Sequence, residues 1–307
     1  MDLNRVAVEL RPLVPKFRLP MESQVLRLLG NCALRLLPRR TVPGVRFDQR
    51  DDAGRGLSLF IPEERKSNGA LLWIHGSGFI LGHPTMDDRF CAETARDLGI
   101  VVASARYRLA PAHPHPAAID DCNVAWEWLL GAARSLGIEP TRIVIGGRSA
   151  GGGLAAALVQ RACDGQAPHP VAQWLFCPML DDRTAERRDL DAEKHFVWDN
   201  RLNRFGWRSL LSNEPGAATT LPYAVPARRD DLAGLPPAWL GVGDVDLFFG
   251  EDMDYAGRLS AAGVHVTVDI VPGAPHGFEV WGSSATLASA YVARAREWLG
   301  RAIPTDF

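Results

Sequence analysis

The chain has 307 residues, 47% of them hydrophobic and 23% charged, a composition that suits one large α/β domain or two smaller ones with a sizeable core. A net charge of -2 with no basic block argues against a nucleic-acid partner. Five scattered cysteines without a C-x-x-C pair suit reduced thiols and offer no metal framework. The N-terminus lacks the basic-then-apolar run of a signal peptide, and no apolar run reaches the roughly 18 residues of a membrane span, so a cytoplasmic protein is expected.

Residues 1–45 are rich in Pro and Arg around one helical segment. From Ser23 to Leu37 the leucines form a broad apolar face with Arg27 and Arg35 off it, Ser23 can cap the start, and Pro38 ends it. Such a basic amphipathic helix can lie on a membrane, but a single one is expected to pack on the protein's own body. Residues 46–62 read as paired strands, with Leu57, Leu59 and Ile61 alternating. Ala70–Ile74 is a continuous apolar run, as in a strand covered on both faces, and it breaks into His75-Gly76-Ser77-Gly78-Phe79.

A helix over 87–98 and a strand over 100–103 follow, and then a Pro-rich loop before a helix over 117–133. Ile143-Val144-Ile145 closes another buried strand, and Leu154 begins an obvious helix former. Val171–Cys177 is the next strand, after which the pattern lapses over 180–235, read as an insertion. Strand 238–242, helix 250–262, strand 264–271 and a helix from about 283 to 299 complete the chain. Apolar strands alternating with helices predict a parallel, doubly wound sheet with its functional rim at the strands' C-terminal ends.

Between strand and helix lies Gly147-Arg148-Ser149-Ala150-Gly151, a G-x-S-x-G pattern. Its glycines permit a strained turn that holds a serine hydroxyl out of the sheet beside a helix N-terminus. A plain Gly-rich turn or a phosphate cradle is the competing reading. A serine nucleophile needs a base, and the base needs an orienting group; in this kind of fold the chain order is Ser, acid, His. His265 reads as a solvated strand position, which leaves His276, in the loop Pro272–Phe278, as the base. Two aspartates, Asp244 and Asp246, follow one strand, with Asp181 and Asp182 behind them, and local physics does not separate the first two. The amide of Ala150, with amides of the loop His75–Gly78, is expected to form an oxyanion hole.

Taken together, His75-Gly76-Ser77-Gly78-Phe79, Tyr107-Arg108-Leu109-Ala110-Pro111, Pro116–Asp121, Gly147–Gly152 and His276-Gly277-Phe278 resemble the hormone-sensitive lipase-like family of esterases. The resemblance runs from about residue 45 to the C-terminus. It implies an α/β-hydrolase fold whose cap is built from residues 1–45 and an insertion at about 180–230, with the catalytic domain over 46–307. It also implies Asp246 as the acid, through its spacing to Tyr255-Ala256, and Ser77, Gly78 and Ala150 as oxyanion donors. His75 resembles a loop-shaping residue, and Arg108, Asp120 and Asp121 resemble structural ones. Two departures stand out. Ser77 replaces a glycine of the first motif, and Arg148 precedes the nucleophile, where it is expected either to favour carboxylate-bearing substrates or to pair with an acid such as Asp120 or Asp121.

The function these observations predict is a serine carboxylesterase hydrolysing short- to medium-chain esters through an acyl-enzyme on Ser149, with no metal or organic cofactor. The alternatives are an amide hydrolase with the same machinery and a non-catalytic small-molecule binding protein on the same scaffold. Family analogy alone suggests a homodimer.

Overall fold

The computed structural model describes residues 2–16, 20–52, 55–76, 78–193 and 195–303. Among the described residues eight strands form one sheet: β1 (Val45–Asp52), β2 (Arg55–Pro62), β3 (Ala70–Ile74), β4 (Val101–Arg106), β5 (Ile143–Arg148), β6 (Ala172–Phe176), β7 (Ala238–Gly243) and β8 (Val266–Val271). Their order is β1-β2-β4-β3-β5-β6-β7-β8. β1 and β2 run antiparallel, β2 meets β4 antiparallel, and every later pairing is parallel. The helices are α1 (Gln24–Leu36), α2 (Asp88–Leu98), α3 (Ala117–Leu136), α4 (Ala150–Asp164), α5 (Asn200–Leu211), α6 (Phe249–Ala261), α7 (Phe278–Trp281) and α8 (Thr286–Ala302).

The continuous apolar runs of the central strands follow from burial on both faces. Successive side chains point to opposite sides, so Leu72 and Ile74 join a core with α3, α4 and α6, while Leu71 and Trp73 join one with α2 and α8. On the second side, Trp73, Trp174, Phe176, Trp239 and Tyr291 pack ring to ring beneath the strand ends. The insertion contributes α5, and its Trp198, Leu202 and Trp207 pack into the first core.

Two elements differ from expectation. Helix α4 starts at Ala150, four residues before the strong helix formers, and takes Gly151-Gly152-Gly153 into its first turn. Glycine costs about 1 kcal/mol against alanine in a helix interior, so propensity opposes this start. Packing demands it: a Cβ on Gly151 would lie 2.2 Å from the Ile74 carbonyl oxygen, and one on Gly153 2.1 Å from that of Met179. The helix can approach β3 and the segment after β6 this closely only without side chains.

The second difference is α1, which is capped by Ser23 as expected but does not bury its apolar face. Val25, Leu28, Leu29 and Leu36 are exposed, Leu36 at 83%, and the buried residue of the helix is Arg27. The hydrogen bonds that hold α1 to the body come from its polar face. Asn31 Oδ1 accepts from the Gly82 amide, and the Leu34 carbonyl accepts from the Thr85 hydroxyl. The helix does lie on the protein's own body, as expected, but through its polar face, and the leucine face is left exposed. Among the described residues no helix is long and apolar enough to cross a membrane.

Candidate active site

The site lies at the C-terminal rim of the sheet, where β5, β7 and β8 end. Ser149 follows β5 directly, with φ 54° and ψ −124°. A non-glycine residue in that region carries about 1–3 kcal/mol of strain, which persists only where surroundings enforce it. Here the Ser149 amide donates to the Phe176 carbonyl, and its carbonyl accepts from the Gly153 and Met179 amides. The hydroxyl is thereby held above the strand end at the start of α4.

His276 sits in the turn between β8 and α7. Its position is fixed by the Phe278 amide donating to the Pro275 carbonyl, and by the Trp281 indole N–H donating to the His276 carbonyl at 2.9 Å. The edge of Phe248 packs against the imidazole, with ring centroids 5.1 Å apart. In the tautomer that satisfies both ring nitrogens, Nδ1–H donates to Asp246 Oδ2 at 2.8 Å and Nε2 accepts from Ser149 Oγ at 2.8 Å. The other Asp246 oxygen accepts from the Phe248 amide at 3.0 Å. All three side chains are buried, so water competes little for these hydrogen bonds.

The structure separates the two aspartates that local reading left open. Asp244 turns away and accepts from the Gly273 amide at 2.6 Å, bracing the loop that carries His276. Of the other candidates, Asp181 pairs with Arg183 and Asp182 with Arg228. His265 is exposed, outside the site.

Around the nucleophile, the Ala150 amide opens α4, where an N–H has no intrahelical acceptor. Gly78 lies in the turn after β3 with φ 58°, and a Cβ there would fall 2.1 Å from the Trp198 ring. Ser77 lies outside the described residues. His75 stacks on Tyr107 with centroids 4.4 Å apart, and its carbonyl accepts from the Tyr107 hydroxyl at 2.9 Å. Burial pushes its imidazole down to about 4, so it is neutral at pH 7. Arg108 grips Asp121 through Nε and Nη2 at 2.8 and 2.9 Å, and Arg161 pairs with Asp120 at 2.7 Å.

Those pairings overturn the expected partners of Arg148. Its Nη1 reaches Asp87 Oδ1 and its Nε reaches Glu279 Oε1, both at 2.6 Å, and all three groups are buried. The Trp73 indole N–H donates to the second Asp87 oxygen at 2.7 Å, and the guanidinium lies over the rings of Trp73 and Phe90. Burial opposes the charge on Arg148, but the carboxylates of Asp87 and Glu279 outweigh it and hold the pKa above the ordinary arginine value. Arg148 is thus committed to internal partners. Sequence reasoning missed Asp87 and Glu279; the only local trace is that Glu279 stands three residues after His276.

It also missed Cys177, whose Sγ lies within 4.8 Å of ligand atoms of Asp246 and His276. Among the described residues this is the one such group that could hold a metal ion. Both His276 nitrogens already serve Ser149 and Asp246, and burial raises the Cys177 thiol well above its usual range, keeping it protonated. A metal here would have to break the hydrogen-bonded row, so these donors do not fit a resident ion.

The α/β-hydrolase fold family matches residues 71–280. Carboxylic ester hydrolase LipN of Mycobacterium tuberculosis is 35% identical over 276 residues, covering 84% of this chain and 73% of that protein. The structure named Bacterial Heroin Esterase superposes with a TM-score of 0.87 at 31% identity, covering 99% of both chains. A structure described as an esterase from the bacterial hormone-sensitive lipase family gives a TM-score of 0.79 at 26% identity over 98% of each chain. With the sheet order, the serine elbow and these matches in agreement, the chain belongs to the α/β-hydrolase fold family, in its hormone-sensitive lipase-like branch.

Proposed function

We propose that the chain is a serine carboxylesterase acting on esters of short- to medium-chain acids, with Ser149 as nucleophile, His276 as general base and Asp246 as the group that orients it. The observation that carries this reading is the unbroken row of two 2.8 Å hydrogen bonds from Ser149 Oγ through His276 to Asp246. His276 Nε2 takes the hydroxyl proton as Oγ attacks the ester carbonyl, and Asp246 stabilises the imidazolium that forms. The amides of Ala150 and Gly78 are assigned to the developing oxyanion, and the sequence motif assigns Ser77 the same role. The imidazolium then protonates the departing alcohol, and water repeats the sequence on the acyl-Ser149 ester. Relatives named as ester hydrolases support this reaction class.

Residues 1–45 and about 180–230 form the cap over this rim. Trp198 and Gly206 support that role, since both pack against Gly78 in the turn after β3. The scattered free thiols suit a cytoplasmic enzyme. β8 is the sheet's edge strand, with Val268 and Ile270 exposed, and a homodimer would cover them there. Light scattering of the wild type and Ile270→Lys tests that pairing: a dimer that becomes a monomer supports it, and a monomeric wild type removes it.

Two measurements test the enzyme reading. A fluorophosphonate should label the wild type rapidly and Ser149→Ala not at all, and the variant should retain less than about a tenth of the activity. Labelling of both proteins alike would remove Ser149 as nucleophile. A series of 4-nitrophenyl esters of rising chain length beside the matching anilides distinguishes esterase from amide hydrolase.

A further inference from the structure

We propose that the cavity between α1 and the loop following β4 is a binding site for an anionic group, a carboxylate or a phosphate monoester. The cavity measures about 570 Å³ and is walled by α1, the turn Ile80–His83 and residues 106–113. None of Ser149, His276 and Asp246 lines it. It adjoins the rim all the same, because the Ala110 amide donates to the Phe79 carbonyl and the Tyr107 hydroxyl to the His75 carbonyl. Its size is that of a small-molecule pocket.

Its charge is one-sided. Arg27, Arg35, Arg106 and Arg108 line it, and among the described residues no carboxylate does. Arg108 is answered from behind by Asp121. Arg27 is not answered in this way. It is only 7% exposed, its Nη1 donates to the Met21 carbonyl at 2.6 Å, and its guanidinium lies 4.9 Å from the centroid of Phe205. One carbonyl and one ring leave most of its five donors without a strong acceptor, and among the described residues no carboxylate pairs with it. Those donors are free to take an anionic acceptor.

The orientation of α1 sharpens the point. The helix turns Arg27 and Asn31 inward and leaves Val25, Leu29 and Leu36 in solvent. Burial of leucines is the usual driving force for docking a helix, and here it is forgone on that face. An anion in the cavity would hold the inward face in place by charge-assisted hydrogen bonds to Arg27 and Arg35. His83, which also lines the cavity, is neutral at pH 7, because burial, with smaller contributions from Arg106, His75, Arg39 and Arg35, pushes its imidazole down to about 3.

Binding is read without turnover, so the test stands apart from the esterase assignment. Titration calorimetry at low ionic strength compares succinate and inorganic phosphate with neutral succinamide. At least one anion should bind, succinamide should not, and affinity should fall at least about tenfold in Arg27→Gln and decline as salt is raised. Arg35→Gln, an exposed position, serves if Arg27→Gln does not fold. The site is overturned if neither anion binds better than succinamide, or if both variants bind with wild-type affinity. The source of the anion is read from 4-nitrophenyl hemisuccinate against 4-nitrophenyl butyrate. A loss of kcat/KM on the hemisuccinate alone in Arg27→Gln identifies the substrate's own charged arm. Parallel kinetics on both esters, with free-anion binding still lost, identify a separate small acid.

Discussion

Arg148→Met tests whether the residue before the nucleophile recognises substrate or holds the site together. The substitution keeps most of the side-chain length and removes the charge, leaving Asp87 and Glu279 buried and facing each other. Each was bonded to the guanidinium at 2.6 Å. Removing one partner of a buried ion pair costs about 3–5 kcal/mol, because the desolvated charges left behind are uncompensated. At about 2 cal/mol/K of unfolding entropy per residue, a chain of this size should lose about 5–8 °C in Tm.

Activity should fall with it, since Arg148 adjoins Ser149 and Glu279 stands three residues after His276 at the start of α7. The cluster therefore ties the nucleophile turn to the loop of the base. The loss in kcat/KM should be equal on neutral and carboxylate-bearing esters. Adding Asp87→Asn and Glu279→Gln to the same chain should restore most of the stability: the Trp73 N–H keeps an acceptor, and no charge stays buried. Thermal unfolding and the paired-ester assay read both outcomes. A Tm shift under about 1 °C, no recovery in the triple variant, or a selective loss on the anionic ester would each refute the reasoning.

Asp246→Asn should lower kcat by on the order of 10²–10⁴, because the amide cannot hold Nδ1–H in the required tautomer, whereas Asp244→Asn keeps an acceptor for the Gly273 amide and should lose less than about tenfold. Steady-state kinetics of the two variants decide, and the reverse ranking would exchange their roles. Burial pushes the Glu251 carboxyl up to about 8, although the Leu180 and Asp181 amides donate to it at 2.7 and 3.2 Å. The folded state thus holds the proton more tightly than the unfolded chain, so this contribution to stability is full below about pH 4.5 and is lost as pH rises towards 8, at up to about 1.4 kcal/mol per unit. Urea unfolding at pH 5, 6.5 and 8 should show the decline in the wild type and a shallower one in Glu251→Gln; some slope persists, because burial also raises Asp252. Identical slopes in the two proteins would count against a protonated Glu251.

The central strands were legible because burial on both faces leaves a local trace, an unbroken apolar run such as Ala70–Ile74. Their order was not, since β3 lies between β4 and β5 through pairings that no local pattern encodes. Helix α7 was hidden for a related reason: four residues carry no periodicity, and the turn at Gly277, with φ 64°, sets its start. For α1, sequence showed an apolar and a polar face but could not show which would meet the body. That choice depended on acceptors and donors elsewhere in the chain, such as the Gly82 amide and the Thr85 hydroxyl.

The same distinction runs through the site. Ser149 was readable because its turn writes glycines into the sequence at fixed positions, each demanded by a backbone atom that a Cβ would strike. His276 followed by elimination along a fixed chain order. Asp244 and Asp246 stand two residues apart after one strand, and only the direction of each carboxylate separates them: one meets the Gly273 amide, the other the imidazole. Arg148 is the limiting case. Its partners lie 61 residues before it and 131 after it, so its charge was visible and its meaning was not. Within a buried site a charge is defined by what neutralises it. Arg148, answered on two sides, is a fastening between the elements that carry Ser149 and His276. Arg27, buried with one carbonyl and one ring, keeps donors in hand, and by that difference an anion is expected in the cavity under α1 and not beside the nucleophile's neighbour.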